Sequence, residues 1–309
     1  MSLATKFYLG VDNCFARKRW PRNEVWADIV ANRFKVKYLE YNGDQLDPLC
    51  YPPHAIPRLA EEVKTATTDR GIEIYDYYTG IITHNLNLLS HPDDDVREYG
   101  FKWCADSCKI AKMMGARCVG GHYDTITETD AADPKSYAAC IDRLVKSMQR
   151  LSRVAKEEGL PFIMLEQMYT PLEAPYTIKQ TREMYEAINA DAAVPVYITV
   201  DVGHMCCQTF EHNAKDTDPY EWLREFGAIS PVIHLQQVDG KGSPHWPFTK
   251  ECNAKGIIDA KKVIEALEAS GSKENYLILE IFHSLTAPGE KVLSDHEESV
   301  DYWRQYVTD

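Results

Sequence analysis

Four short apolar runs in the second half of the chain each end on, or pass through, a residue able to bind a metal or move a proton. They are Phe162-Ile-Met-Leu-Glu166, Val196-Tyr-Ile-Thr-Val-Asp201, Val232-Ile-His234 and Tyr276-Leu-Ile-Leu-Glu280, and His204 follows Asp201 by three positions. β-Branched and aromatic runs of this length read as buried parallel strands. An acid at the end of one such strand often does no more than cap the next turn. Four in succession point instead to a shared site, in which Glu166, Asp201, His234 and Glu280 could surround one divalent cation. Three carboxylates and one imidazole favour a hard or borderline ion over a thiolate-type zinc site.

The elements that must position these side chains alternate along the whole sequence. Strands are expected at 7–12, 36–41, 72–77, 116–122, 162–166, 196–201, 232–234 and 276–280. Helices are expected at 23–33, 57–70, from Ser90 or Asp93 to Met114, and at 135–158, 177–190, 219–226, 259–270 and 295–307, with Gly71, Gly115, Gly159 and Gly271 as stops. Such alternation implies a parallel sheet covered by helices. Eight units in 309 residues match a single α/β domain over 1–309, a (β/α)8 TIM barrel, better than a doubly wound sheet. No Gly-x-Gly-x-x-Gly follows the first strand and no Walker motif occurs, which removes support for nucleotide-binding folds. In a barrel the carboxyl ends of the strands converge on one mouth, so the four candidate ligands would meet there. The segment from Asp239 to Gly256, with Pro244-His-Trp-Pro247 and Lys241 and Lys255, is long enough to be functional and could close over a ligand.

Composition narrows the function classes. With 34 Lys and Arg against 47 Asp and Glu the net charge is −13, and no dense basic cluster appears, so nucleic acid is not an expected partner. No apolar stretch of membrane-spanning length is present, and no basic region followed by an apolar run marks the N-terminus, so a cytoplasmic protein without membrane contact is expected. Nine cysteines, an odd number without a Cys-x-x-Cys pair, read as free thiols in a reducing compartment, and the vicinal Cys206-Cys207 pair as packing. The 33 aromatic residues leave room for a homodimer or homotetramer interface.

The order Glu166…Asp201-x-x-His204…His234…Glu280 resembles the xylose isomerase-like TIM-barrel superfamily, which includes ketose 3-epimerases, inosose dehydratases and isomerases, and endonuclease-four-type nucleases. Ser90-His-Pro-Asp…Arg97-Glu, Met114-Gly-Ala-Arg-Cys-Val-Gly-Gly-His122 and Gly256-Ile-Ile-Asp259 are similar to further stretches of that family. The resemblance covers nearly the whole chain. It implies a divalent metal held by Glu166, Asp201, His234 and Glu280, with Mn²⁺ first and Mg²⁺, Co²⁺ or Zn²⁺ as alternatives. It implies Glu166 and Glu280 as the acid/base pair and His204 on a substrate oxygen. Glu173 would stand for the acid that follows the first ligand, and His122, Gln237 and Lys241 would line the substrate; His84 and His283 are further residues at the mouth. A ketose C3–H is weakly acidic, and a cation near O2 and O3 favours the cis-enediolate left by its removal.

After His234 the sequence departs from the epimerase pattern, which continues with Gly-Glu and an arginine where this chain has Leu-Gln-Gln-Val-Asp-Gly-Lys241. A register shifted by two would place Gln236 rather than His234 at the metal. The chain as a whole, Asp12-Asn-Cys-Phe-Ala…Lys18-Arg-Trp20 included, is similar to erythrulose-phosphate 3-epimerases. The expected activity is therefore epimerisation or isomerisation of a small ketose or ketose phosphate. The alternative is a metal-dependent dehydratase or decarboxylase of a keto-sugar or sugar acid, with a nuclease or a non-catalytic sugar-binding protein ranked below.

Overall fold

The computed structural model describes residues 5–210 and 212–308. Eight parallel strands close into a barrel in chain order: β1 (Lys6–Asp12), β2 (Tyr38–Asn42), β3 (Glu73–Tyr78), β4 (Cys118–Gly120), β5 (Ile163–Glu166), β6 (Val196–Asp201), β7 (Val232–Leu235) and β8 (Glu274–Leu279). This is the expected (β/α)8 barrel, with helices following the strands. They are α1 (Asn23–Asp28), α2 (Ile56–Thr68), α3 (Asp94–Met114), α4 (Glu128–Ala132), α5 (Pro134–Glu157), α6 (Ile178–Asn189), α7 (Pro219–Phe226), α8 (Lys250–Asn253), α9 (Ala260–Ala269) and α10 (Gly289–Trp303).

Contacts group the chain into two compact units, Met1–Tyr41 with Thr65–Ile74 and Thr199–Asp309, and Asn42–Lys64 with Tyr75–Ile198. In the first unit, β1 pairs with β8 from Lys6↔Glu274 to Val11↔Leu279. β8 pairs with β7 from Val232↔Tyr276 to Leu235↔Leu279, and β6 meets β7 at Asp201↔His234. Asp201 and His234 therefore stand level, and Glu280 follows the last paired residue of β8. On the other side Asp12 pairs with Glu40. These strands are buried on both faces, as a sheet covered by helices requires, so their sequences are apolar runs rather than alternations. Gly10 is needed where β1 and β2 approach, because a Cβ there would sit 2.8 Å from Tyr38 O.

In the second unit, β3 pairs with β4 from Asp76↔Cys118 to Tyr78↔Gly120, and β4 meets β5 at Val119↔Ile163. Asp93 is the N-cap of α3, its Oδ1 accepting from the N–H groups of Asp95 and Val96, and the helix stops at Gly115 with φ +82°. Ser90, the other cap candidate, instead donates its N–H to Asp124 Oδ2. Buried Asp124 also accepts from the N–H groups of Leu88 and Leu89, so one carboxylate fastens the 88–90 turn.

Two helix expectations need correction. The helix expected over 23–33 is α-helical only to Asp28 and runs on as a π-turn over Ile29–Phe34, ending on Lys35 at φ +55°. The closing helix begins at Gly289, with Pro288 in the N-cap position, six residues before the expected Asp295.

Candidate active site

Among the described residues, Glu166, Asp201, His234 and Glu280 each offer one ligand atom, all within 4.8 Å of one another, and all four are buried. His234 belongs to this group. Its Nδ1 lies 3.1 Å from Glu280 Oε2. Its Nε2 lies 2.9 Å from Glu40 Oε2, and both of those residues are fully buried. A carboxylate on the far nitrogen fixes the ring and directs the near nitrogen toward a metal.

The donor set fits a divalent cation. Oxygen and imidazole ligands suit Mn²⁺, Mg²⁺ or Co²⁺, and no cysteine belongs to the group. Glu280 Oε2 is buried with no hydrogen-bond partner among the described residues, although two imidazole nitrogens stand 3.1 and 3.3 Å away. An ionised oxygen so placed is satisfied by a cation between the groups. Burial raises the Glu40 carboxyl, and the charge and hydrogen bond of His234 work against that rise. Burial would raise Glu280 too, but the neighbouring imidazoles of His234 and His245 outweigh it and hold Glu280 well below the usual carboxylate range.

Gln236 has a different position from either sequence expectation. It leaves β7 two residues after His234, so its side chain takes the same direction. Its Nε2 donates to Asp201 Oδ1 (2.9 Å) and Ser243 Oγ (2.8 Å), and its Oε1 accepts from the N–H of His245 (2.9 Å). Gly203 makes room for it, since a Cβ there would come within 2.5 Å of Gln236 Cδ. Asp201 and His204 are joined by a 3.0 Å bond from the His204 N–H to Asp201 Oδ1. His204 Nε2 lies 4.0 Å from Asp201 Oδ2, and the two residues form a second group with His245.

His122 and Glu173 meet in a separate group with His84. His84 Nδ1 is 2.8 Å from Glu173 Oε1, His122 Nε2 is 3.9 Å from the same oxygen, and the two imidazoles stack at 4.9 Å. Gln237 has its amide engaged within its own segment. It is 1 % exposed, its Nε2 donates to Asn253 Oδ1 and Ile258 O, and its Oε1 accepts from the N–H groups of Val238 and Ile258. Its amide is spent holding the segment after β7 together. Gly256 is required beside it, because a Cβ there would lie 2.1 Å from Gln237 Cδ. Lys241 stands in the exposed part of the same segment, its N–H on Asp239 Oδ1. His283 pairs with Asp295 at 3.0 Å.

Two residues of the site escaped the sequence analysis. Glu40 sits inside Tyr38-Leu-Glu-Tyr-Asn42, and its signal was a charged residue in a strand otherwise destined for burial. His245 was visible only as part of Pro244-His-Trp-Pro247.

The chain matches the family described as xylose isomerase-like TIM barrel over residues 30–306. It is 27% identical over 291 residues, 94% of this chain and 93% of the other, to the D-erythrulose 1-phosphate 3-epimerase of Brucella abortus. A provisionally assigned xylose isomerase of Rhodospirillum rubrum shares the fold at a TM-score of 0.86 and 22% identity, covering 98% of this chain and 100% of that one. The D-psicose 3-epimerase of Clostridium cellulolyticum, solved with D-tagatose, does so at 0.71 and 17%, covering 96% and 98%.

Proposed function

The chain belongs to the xylose isomerase-like TIM-barrel family, and from that premise we propose that it is a divalent-metal-dependent 3-epimerase of short ketoses, with a ketose phosphate such as erythrulose 1-phosphate as the first substrate to test. The observation that carries this is the buried group of Glu166, Asp201, His234 and Glu280. It combines a cation-binding donor set with two carboxylates able to move protons. The similarity to the Brucella enzyme over nearly the full length of both chains supports an erythrulose phosphate.

Glu166, Asp201, His234 and Glu280 would hold the metal, which supplies positive charge facing the substrate oxygens. One of Glu166 and Glu280 takes the proton from C3, and the electrons of that bond move toward C2 to give the cis-enediolate. The other carboxyl group returns a proton to the opposite face of C3, which inverts its configuration. His204 donates to the oxygen on C2, and His122 and Glu173 bind the remaining hydroxyl groups. Glu40 holds His234 and Gln236 holds Asp201, so the proton-transfer groups act on a fixed frame. Two usable bases distinguish an epimerase from a lyase, which needs one acid on a leaving group.

The test is solvent exchange. Metal-loaded protein is offered tetruloses, pentuloses and hexuloses and their phosphates in D₂O and followed by NMR. Deuterium at C3 together with the C3-inverted sugar is the expected result. Loss of water or CO₂ would transfer the assignment to a dehydratase or decarboxylase, and an aldose product would make it an isomerase.

A further inference from the structure

The segment after β7 carries an imidazole into the site on a backbone that is fixed rather than mobile. Gln237 and Trp246 form an antiparallel bridge, with N–H···O bonds of 2.9 and 3.1 Å in the two directions. The N–H of His245 donates to Gln236 Oε1, and its carbonyl accepts from the N–H of Phe282 at 3.0 Å. Downstream, the N–H of Phe248 donates to Ser299 Oγ. His245 is itself buried and adopts φ +49°, one of two non-glycine residues with a positive φ among the described residues. A side chain held in that region by so many bonds marks a position where function and packing agree on one geometry.

The ring's bonds define its state. Nδ1 lies 3.1 Å from the main-chain oxygen of Glu280 in hydrogen-bond geometry, and 3.3 Å from Glu280 Oε2. A carbonyl only accepts, so Nδ1 carries the proton. Nε2 faces Gln236 Nε2 at 3.1 Å. The Phe282 ring stacks on the imidazole at 4.3 Å and 24°, closing one face. One nitrogen thus serves Glu280, and the other serves the amide that holds Asp201.

We propose that His245 is a positioning residue for the acid/base carboxylate of Glu280, and that the segment after β7 is a fixed tether delivering it rather than a lid that closes on substrate. The inference rests on the epimerase assignment for its kinetic readout and on geometry alone for its structural one. Through Nδ1, His245 holds the main chain of Glu280 and confines the carboxylate to one rotamer. That is the preorganisation a base needs to meet a C–H bond in a single orientation.

Asparagine presents an amide N–H near the place of the imidazole Nδ1, and glutamine presents its amide near the place of Nε2. His245→Ala, His245→Asn and His245→Gln of the full chain therefore separate the two nitrogens. Misplacing a catalytic group by about 1 Å costs on the order of 100-fold, so kcat of His245→Ala is expected to fall about 100-fold with KM nearly unchanged. His245→Asn is expected to recover most of that loss and His245→Gln little of it. Crystals of the metal-free His245→Ala protein should show the Glu280 carboxylate in a different rotamer, and those of His245→Asn should show it in place. Rescue by glutamine but not asparagine would overturn the proposal in favour of a role through Gln236 and Asp201. An equal kcat loss in all three variants with Glu280 unmoved would reduce His245 to packing. If the wild-type protein exchanges no ketose, the epimerase assignment fails, and the metal-free rotamers still decide the proposal about Glu280.

Discussion

Replacing Glu40 tests whether the orientation of His234 governs metal binding. Glu40 Oε2 and His234 Nε2 are 2.9 Å apart with both side chains fully buried, which is the setting for a charge-assisted hydrogen bond. Such a bond contributes about 1.5–3 kcal/mol, against about 0.5–1.5 for a neutral pair. Glu40→Gln keeps an acceptor for the His234 N–H but removes the charge, and so gives up roughly 1–1.5 kcal/mol of ring orientation and basicity. At about 1.4 kcal/mol per factor of ten, this weakens Mn²⁺ binding about tenfold. Glu40→Leu removes the acceptor altogether and should approach the hundredfold loss typical of groups that support a metal ligand. Isothermal titration of metal-free protein with Mn²⁺ measures both variants directly. Stability serves as the control, because Glu40 is a carboxylate whose burial is unfavourable. Metal-free Glu40→Gln should unfold at the same urea concentration as the wild type or a higher one, while its metal affinity falls. If Glu40→Gln binds Mn²⁺ within about twofold of the wild type, the carboxylate does not set the ring, and the argument from support of a metal ligand by its hydrogen-bonded neighbour fails for this site.

Chelation should abolish exchange, and added Mn²⁺ or Co²⁺ should restore it. The metal should also raise the unfolding free energy by about 2.7 kcal/mol at a hundredfold excess over its dissociation constant, read by urea titration with and without the ion. His296 is wholly buried, donates Nδ1–H to Val292 O at 2.8 Å and stacks on Phe34, and burial lowers its pKa from 6.5 to about 4. The unfolded chain therefore binds the extra proton first: this contribution is complete above pH 6.5 and is lost as pH falls toward 4, by about 3 kcal/mol. Denaturation at stepped pH should show that acid limb in the wild type and a shallower one in His296→Phe. Asp124→Ala leaves three N–H groups of the 88–90 turn without their carboxylate, and should lower stability by about 3 kcal/mol in the same assay.

The barrel and the cluster of candidate ligands were legible because both are written locally. An apolar run that ends on an acid carries its strand assignment and its chemistry within six residues, as Val196–Asp201 does. Glu40 was not legible, because its partner is 194 residues away and its significance comes from the pairing of β2 with β1, which places it level with Asp12. The start of α10 was missed for a different reason. Thr286-Ala-Pro-Gly289 looks like a loop, yet Pro288 occupies the N-cap position and the helix begins on the glycine. His245 lay furthest from reach. A histidine between two prolines gives no hint of a positive φ, and that conformation is set by the Gln237–Trp246 bridge and by Phe282.

His234 and Gln236 take related places once the geometry of β7 is followed outward. Side chains two apart on an extended chain share a direction, so both residues point toward the same site from successive levels. The lower one, His234, meets Glu280 and Glu40. The upper one, Gln236, meets Asp201 and the N–H of His245. An amide suits the upper level, because it donates to the Asp201 carboxylate and accepts from the His245 N–H at once. The neutral amide of Gln236 thereby ties Asp201 to the backbone of the segment that carries His245.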